Sequence, residues 1–382
     1  MSEDLSIPRA DQGLLQPRWF PMTHDLSIVI VSWNVKDLLR RCLCSAAESL
    51  TCEKGRELSA QIIVVDNAST DGSPVAIRER HPDVQLVELG ANRGPSASRN
   101  ASLAVAKGEL IFWIDNDIYA DPDCLGRMLQ AWKAEQADLV VPRIVLIPEE
   151  HIVQADGGEA HFIGTLTLRN GFTPISQIRD SRRARIGASP SGCLLMVRRV
   201  ASEVGGFDES YFFYFEDFEF SLRTRILGYR IVCEPTAVVR HDRGTGNPEL
   251  AFRGSGKYPT ERARLLMRNR LRTLLTHYSG RTLLALFPAL ALYELANLVF
   301  AVTRGWTRPW LQSWGWVITN HANVSERRRW IQSRRRVADR EILTGGPLPL
   351  APGLLNSGPL RWVVQVFSTL LNGYWRLTRR LI

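Results

Sequence analysis

Residues 109–117 read ELIFWIDND: five apolar side chains, Leu110 to Ile114, run straight into Asp115, Asn116 and Asp117. Two carboxylates so close repel each other unless a cation lies between them, and hard oxygen ligands suit Mg²⁺ or Mn²⁺. Alone, an Asp-x-Asp is more often a solvated turn. A second acidic pair, Glu216-Asp217, sits inside the aromatic stretch YFFYFEDFEF at 211–220. Aromatic packing dries a carboxylate and raises its basicity, which suits a general base; the plainer alternative is two acids at a helix start. Asp66 ends another apolar run, just as Trp33 ends the first. Each has an ordinary role too, Asp66 as the cap of its turn and Trp33 as a core aromatic. Arg93 and Arg99, in NRGPSASRN, either face a diphosphate or are solvated.

Elements must bring these residues together. A continuous apolar run after Gly108 reads as a buried central strand, and ligands collect at the carboxyl ends of strands in open α/β sheets. Strand patterns at 26–33, 61–65 and 84–89 precede it, with helical patterns between them reaching about Leu50, about Arg80 and Lys107. The alternation predicts a doubly wound, mainly parallel α/β sheet on whose strand ends Trp33, Asp66 and Asp115/Asp117 converge. An acid ending the second strand is where nucleotide-binding folds contact a nucleoside, but the Gly-x-Gly-x-x-Gly fingerprint is absent, which argues against a dinucleotide. Downstream, 189–199 read as a small-residue turn feeding a buried strand. Asp217 opens a helix that ends near Leu227 with Gly228 just beyond, and Arg230 to His241 read as a last strand. The Arg-rich stretch 169–185 reads as a flexible loop over an acceptor site.

Composition narrows the class. The chain has 382 residues, 45% apolar and 9% aromatic, enough for a real core and too apolar for disorder. Residues 251–382 hold 21 lysines and arginines against 5 acids, a charge of +16, so the other 250 residues carry −7 of the overall +9. An acidic body therefore carries a basic tail, which suggests an anionic surface as its partner. The six cysteines form no zinc-type double pair and read as reduced thiols of a cytosolic protein. Residues 1–25 read as a loose arm without a secretory signal.

The ordered set SIVIVSWN, IIVVDNASTDGS, NRGPSASRN and GELIFWIDND resembles the donor-binding half of the family 2 inverting glycosyltransferases, which have the A-type glycosyltransferase fold. The resemblance covers about 26–245. It implies a nucleotide-diphosphate sugar donor, with a donor half at 26–120 and an acceptor half at 121–250. Asp66 would then bond the nucleobase, and Trp33 would stack near it. Asp117, helped by Asp115, would hold the metal on the two phosphates. Glu216-Asp217 resembles the family's Glu-Asp motif, whose aspartate is the base, and His241 falls where relatives place a histidine touching metal or diphosphate. The processive motif Gln-x-x-Arg-Trp is absent, so one sugar is expected per encounter. Bacterial rhamnosyltransferases of surface polysaccharides are the nearest in layout, hexosyl transfer coming next. The rival readings are a sugar nucleotidyltransferase, which would want a Gly-rich phosphate loop early in the chain, and a non-catalytic binder that keeps the fold.

In the tail, 282–303 are long enough to cross a bilayer, yet Pro288, Glu294 and Asn297 interrupt them. A span, a re-entrant or interfacial helix and a soluble core helix all remain open. Arg361 to Ile382 form an amphipathic pattern with Val363, Val366, Phe367, Leu370, Leu371, Tyr374 and Leu377 on one face and arginines on the other. With Trp362 and Trp375 it fits a membrane interface. No nucleic-acid module accompanies the arginines. The expectation is attachment to the cytoplasmic face of the plasma membrane, with a glycan or lipid-linked acceptor.

Overall fold

The computed structural model describes residues 24–51, 58–190, 192–242, 259–349 and 358–382; most of the N-terminal arm and Cys52 lie outside them. The first half alternates as its apolar runs predict: β1 (His24–Ser32), α1 (Lys36–Thr51), β2 (Ala60–Asp66), α2 (Ser73–Arg80), β3 (Gln85–Glu88), α3 (Gly94–Val105) and β4 (Gly108–Asp115). Shorter pieces follow: β5 (Ile118–Ala120), α4 (Cys124–Glu135), β6 (Leu139–Ile147), β7 (Ile152–Ala155), β8 (Gly158–His161), β9 (Thr165–Leu168), β10 (Thr173–Pro174) and β11 (Ala184–Arg185). Next come β12 (Cys193–Val197), α5 (Arg198–Glu203), α6 (Glu216–Ile226) and β13 (Ile231–Asp242). The remainder is helical: α7 (Thr260–His277), α8 (Gly280–Thr303), α9 (Thr307–Thr319), α10 (His321–Arg334), α11 (Asp339–Ile342) with the short β14 (Leu343–Thr344), and α12 (Gly358–Thr378).

One sheet runs in the order β10-β7-β6-β12-β4-β1-β2-β3, with β13 paired to β6, β5 and β11. From β3 to β4 every pair is parallel, as helical crossovers require. Beyond β4 the sheet is mixed, because β12 enters antiparallel between β4 and β6. The reason is local: between β6 and β12 the described chain passes through short strands and no α-helix, so no crossover restores the direction. Leu110 to Ile114 of β4 are all buried, as a strand covered on both faces demands. The Arg-rich stretch after β9 is tied down, with β10 on β7, β11 on β13, and Asn170 Nδ2 donating to Asp156 Oδ2 at 2.7 Å.

The basic region does not trail from the body. Ile331, Ile342, Leu343, Leu371, Trp375 and Ile382 share one apolar core with Val29, Ile63 and Trp113 of the sheet. Several of its arginines are inside as well: Arg272 bonds Asp208 at 2.9 Å, and Arg327 lies 3.7 Å from Glu219. Trp375, expected at a membrane interface, is instead buried and stacked on Phe162 at 5.1 Å. The amphipathic stripe of α12 is split accordingly. Leu371 faces inward, while Val363, Val366, Leu370 and Leu377 are exposed.

Helix α8 is the one described helix long and apolar enough to cross a membrane, and only 11% of its most apolar window is buried. One stripe, Thr282, Leu286 and Ala289, packs inward, and Leu284, Phe287, Leu295, Val299 and Val302 point out. Its Glu294 is paired inside the protein with Arg270 at 2.8 Å, and Trp310 and Trp314 both donate to it. That removes the cost of an unpaired acid on an apolar helix.

Candidate functional site

Strand β1 lies between β2 and β4, and its register sets Ser32 beside Asp66 and Val31 beside Asp115. The two acids thus flank one strand end, roughly 10 Å apart at ordinary strand spacing. Trp33 is half-buried just beyond β1. Asp66 is buried; its Oδ2 accepts from Ser69 N at 2.8 Å, while Oδ1 is buried with no hydrogen-bond partner among the described residues. An unsatisfied carboxylate oxygen is costly, so it marks a place where a ligand donor would be stabilising.

Asparagines sew the loops of this crevice together. Asn34 Oδ1 accepts from Thr70 N at 2.7 Å, and Asn34 N donates to Ser69 Oγ at 2.9 Å, joining the loops after β1 and β2. Asn67 Oδ1 accepts from Arg93 N at 2.9 Å, and Asn67 Nδ2 donates to Asn92 Oδ1 at 2.9 Å, joining those after β2 and β3. Nothing in the sequence singled these asparagines out beyond their being turn formers.

Arg93 is solvent-exposed, in keeping with one of its two readings, and Arg99 is not. Arg93 Nη2 pairs with Glu209 at 2.8 Å. Arg99 is neither solvated nor facing a diphosphate across open space: it is 1% exposed, with its guanidinium 5.0 Å from the Phe207 ring. It donates to Asp115 Oδ1 at 2.7 Å and stands 4.0 Å from Glu216 Oε1. One buried cation therefore joins the two acidic motifs, which lie about 100 residues apart in the chain. The reason lies in α3, whose face carrying Arg99 packs inward.

Asp117, in the turn after β4, meets His241 at the end of β13, because β13 pairs with β5 and sets His241 beside Ile118. His241 Nε2 is 3.4 Å from Asp117 Oδ2, and its Nδ1 is 2.6 Å from Gln154 Oε1. A tautomer with Nδ1–H donating to Gln154 Oε1 would leave Nε2 available, beside Asp117, as a ligand fixed from behind. No group of three or more His, Cys, Asp or Glu among the described residues is arranged to enclose a metal. A pair of protein ligands still fits an ion that keeps its remaining positions for water and phosphate oxygens.

The second acidic motif is reached through a contorted loop. Phe212, Tyr214 and Phe215 have φ of 61°, 64° and 69°. Left-handed backbone at bulky residues costs roughly 1–3 kcal/mol each and persists only where the surroundings enforce it. Phe215 occupies the N-cap of α6 without a side-chain cap bond, so Glu216 and Asp217 stand in the first turn, not at the cap. Glu216 is 8% exposed, and burial, then the neighbouring Asp217, pushes its carboxyl up to about 8 against the pull of Arg99. Asp217 is half-buried, and its Oδ1 accepts from Phe218 N at 2.6 Å.

That raised carboxyl makes stability depend on pH. A carboxyl whose folded value is raised binds its proton more tightly in the native state. Its contribution is full below the unfolded value near 4.5 and is lost as pH rises through about 8. In melting scans from about pH 5 to about pH 9, Glu216→Gln is expected to gain Tm steadily relative to wild type. A pH-independent difference would place the raised carboxyl elsewhere.

Acids delivered at the carboxyl ends of a doubly wound, mixed sheet, in a chain whose relatives transfer sugars, make this a glycosyltransferase with the A-type fold. Residues 27–204 match the family model described as Glycosyl transferase family 2, and the chain carries that domain. The match ends before Glu216-Asp217 and His241, whose placement rests on the geometry above. Over 245 residues the chain is 29% identical to the N-acetylglucosaminyl-diphospho-decaprenol L-rhamnosyltransferase of Mycobacterium tuberculosis, covering 58% of this chain and 77% of that one. Over 291 residues it is 27% identical to the pre-mycofactocin glycosyltransferase of the same organism, covering 75% of this chain and 57% of that one. Among solved structures, a mannosyltransferase from Pyrobaculum calidifontis in complex with GDP-Man and Mn²⁺ aligns at a TM-score of 0.49 and 17% identity, over 94% of this chain and 88% of that one. The protein is a glycosyltransferase of polysaccharide or glycan biosynthesis.

Proposed function

We propose that the chain transfers one sugar, with inversion, from a nucleotide-diphosphate sugar to a lipid-linked glycan at an anionic membrane surface. The observation that supports this is a chain of contacts at one end of the sheet: Arg99 pairs with Asp115 and stands 4.0 Å from Glu216, Asp117 faces His241 at 3.4 Å, and Asp66 ends the strand on the other side of β1. Asp66 Oδ1 accepts from the nucleobase, and Trp33 lies beside it. Asp117 and His241, with Asp115 nearby, would hold Mg²⁺ or Mn²⁺, which when bound neutralises charge on the departing diphosphate. Asp217 takes the proton of the acceptor hydroxyl as its oxygen attacks the anomeric carbon. The bond from that carbon to the phosphate oxygen breaks, and its electron pair leaves with the nucleoside diphosphate. Glu216 is buried beside Arg99, with its carboxyl pushed up by burial and by Asp217, whereas Asp217 is half-buried and open to an acceptor.

The relative named for rhamnosyl transfer to a diphospho-decaprenol acceptor supports rhamnose as the sugar and a prenyl-linked acceptor. The membrane part rests on the outward apolar faces of α8 and α12, flanked by exposed Arg361, Arg376, Arg379 and Arg380. Because α8 buries one stripe along the body while exposing the other, it suits lying in the interface plane better than crossing. This agrees with a peripheral or monotopic place on the cytoplasmic leaflet.

The test has two arms. Purified protein with Mn²⁺ or Mg²⁺ and a prenyl-diphosphate-linked acceptor should release nucleoside diphosphate from one of a panel of donors, starting with thymidine diphosphate rhamnose and uridine diphosphate hexoses. Binding of nucleotide without release from any donor would favour a non-catalytic binder. Vesicles containing phosphatidylglycerol should sediment the protein at low salt and less of it at high salt. Protein left in the supernatant at low salt would sink the membrane reading.

A further inference from the structure

We propose that Asn269 of α7 is a positioning residue: its buried amide holds the backbone of residues 211–214 and so sets where Asp217 meets the acceptor. The inference rests on the reading of Asp217 as the base. Three left-handed residues at 212, 214 and 215 break the regular backbone bonding of this loop, so its carbonyls need donors from elsewhere. Asn269 is fully buried and supplies them: Nδ2 lies 3.1 Å from Tyr211 O, 3.0 Å from Phe213 O and 2.6 Å from Tyr214 O. Its Oδ1 accepts from Arg268 Nε at 2.8 Å, which fixes the amide with its hydrogens toward the loop.

Neighbouring residues of α7 grip the same segment on both sides of the acids. Arg268 Nη2 donates to Tyr211 O at 2.7 Å and to Ser210 O at 3.2 Å, with its guanidinium 5.0 Å from the Trp316 ring. Arg272 Nη2 donates to Asp208 Oδ2 at 2.9 Å, and Thr273 Oγ1 is 3.0 Å from the Tyr211 hydroxyl. His277 Nε2 is 3.0 Å from Glu219 Oε1, inside α6. A helix beyond the family match thus contacts the segment from Asp208 to Glu219, within which the base stands. An amide suits this position, because its two hydrogens are shared among three carbonyls and it brings no charge into a fully buried site.

The experiment compares Asn269→Ala, Asp217→Asn and the double variant in the full chain. Asn269→Ala is expected to lower kcat by about tenfold or more while leaving the donor KM within about twofold. In the Asp217→Asn background the same change should add little, because it acts through the base. Unchanged kcat per folded molecule, or a loss that multiplies fully with that of Asp217→Asn, would overturn the proposal. If Asn269→Ala does not fold, Arg268→Met, which keeps the apolar stem but removes the loop donors and the group orienting the amide, carries the same comparison. Should Asp217→Asn itself keep the wild-type rate, the base assignment fails; a dead Asp217→Asn beside an unaffected Asn269→Ala fails only the positioning role.

Discussion

Asp217→Asn is expected to lower turnover by roughly 10² to 10⁴ while donor affinity stays near wild type, because the amide keeps the shape but cannot accept the acceptor's proton. Asn is about as good a helix cap as Asp, so a capping role would leave the rate largely intact. The geometry sharpens the contrast, since the N-cap position belongs to Phe215 and Asp217 lies inside the first turn. Glu216→Gln is the control. Its carboxyl is buried beside Arg99 and pushed up by burial, which favours the neutral form, and the amide is a neutral group of the same shape. Calorimetry for the donor and initial rates at saturating acceptor read both variants. If Asp217→Asn keeps more than about a tenth of the rate, or Glu216→Gln is the dead one, the base is misassigned.

Asp117→Ala is expected to abolish detectable transfer and to remove the metal dependence of nucleoside diphosphate binding, leaving His241 without its anionic partner at 3.4 Å. His241→Ala should weaken metal binding while sparing part of the rate, because a carboxylate remains. Titration of the nucleoside diphosphate with and without Mn²⁺ separates the two effects. Full turnover of wild type in excess chelator would remove both the ion and this role of Asp117.

Much of the site could be read before any coordinates, for an identifiable reason. The run Leu110 to Ile114 is long, apolar and stopped by acids, so its strand and the place of Asp115 and Asp117 at its end follow from pattern alone. What could not be read depended on which way a side chain turns. Arg99 sits in a helix pattern that shows only its spacing; its burial against Asp115 and Glu216 needs the sheet and α6 in place. The left-handed run at Phe212, Tyr214 and Phe215 goes against the preferences of those residues, so tertiary contact overrides local propensity. Charge counting likewise sees a basic region, but not that Arg272 and Arg327 answer Asp208 and Glu219 inside the core. For α12 the period is right and the buried side differs: Leu371 and Trp375 pack inward, while Leu370 and Leu377 of the same stripe look out.

The asparagine stitches at Asn34, Asn67 and Asn92 have a kinetic meaning for an enzyme that must turn over many times. Fixing a loop residue into one conformation removes about 1–2 kcal/mol of backbone entropy at room temperature. Here that ordering is completed once, when the chain folds, and is not repeated at each arrival of a donor. On the function proposed above, a donor entering between the loops would meet a receptor already in shape, so its affinity would reflect contacts rather than loop closure, and the departing diphosphate would leave without a loop having to melt behind it.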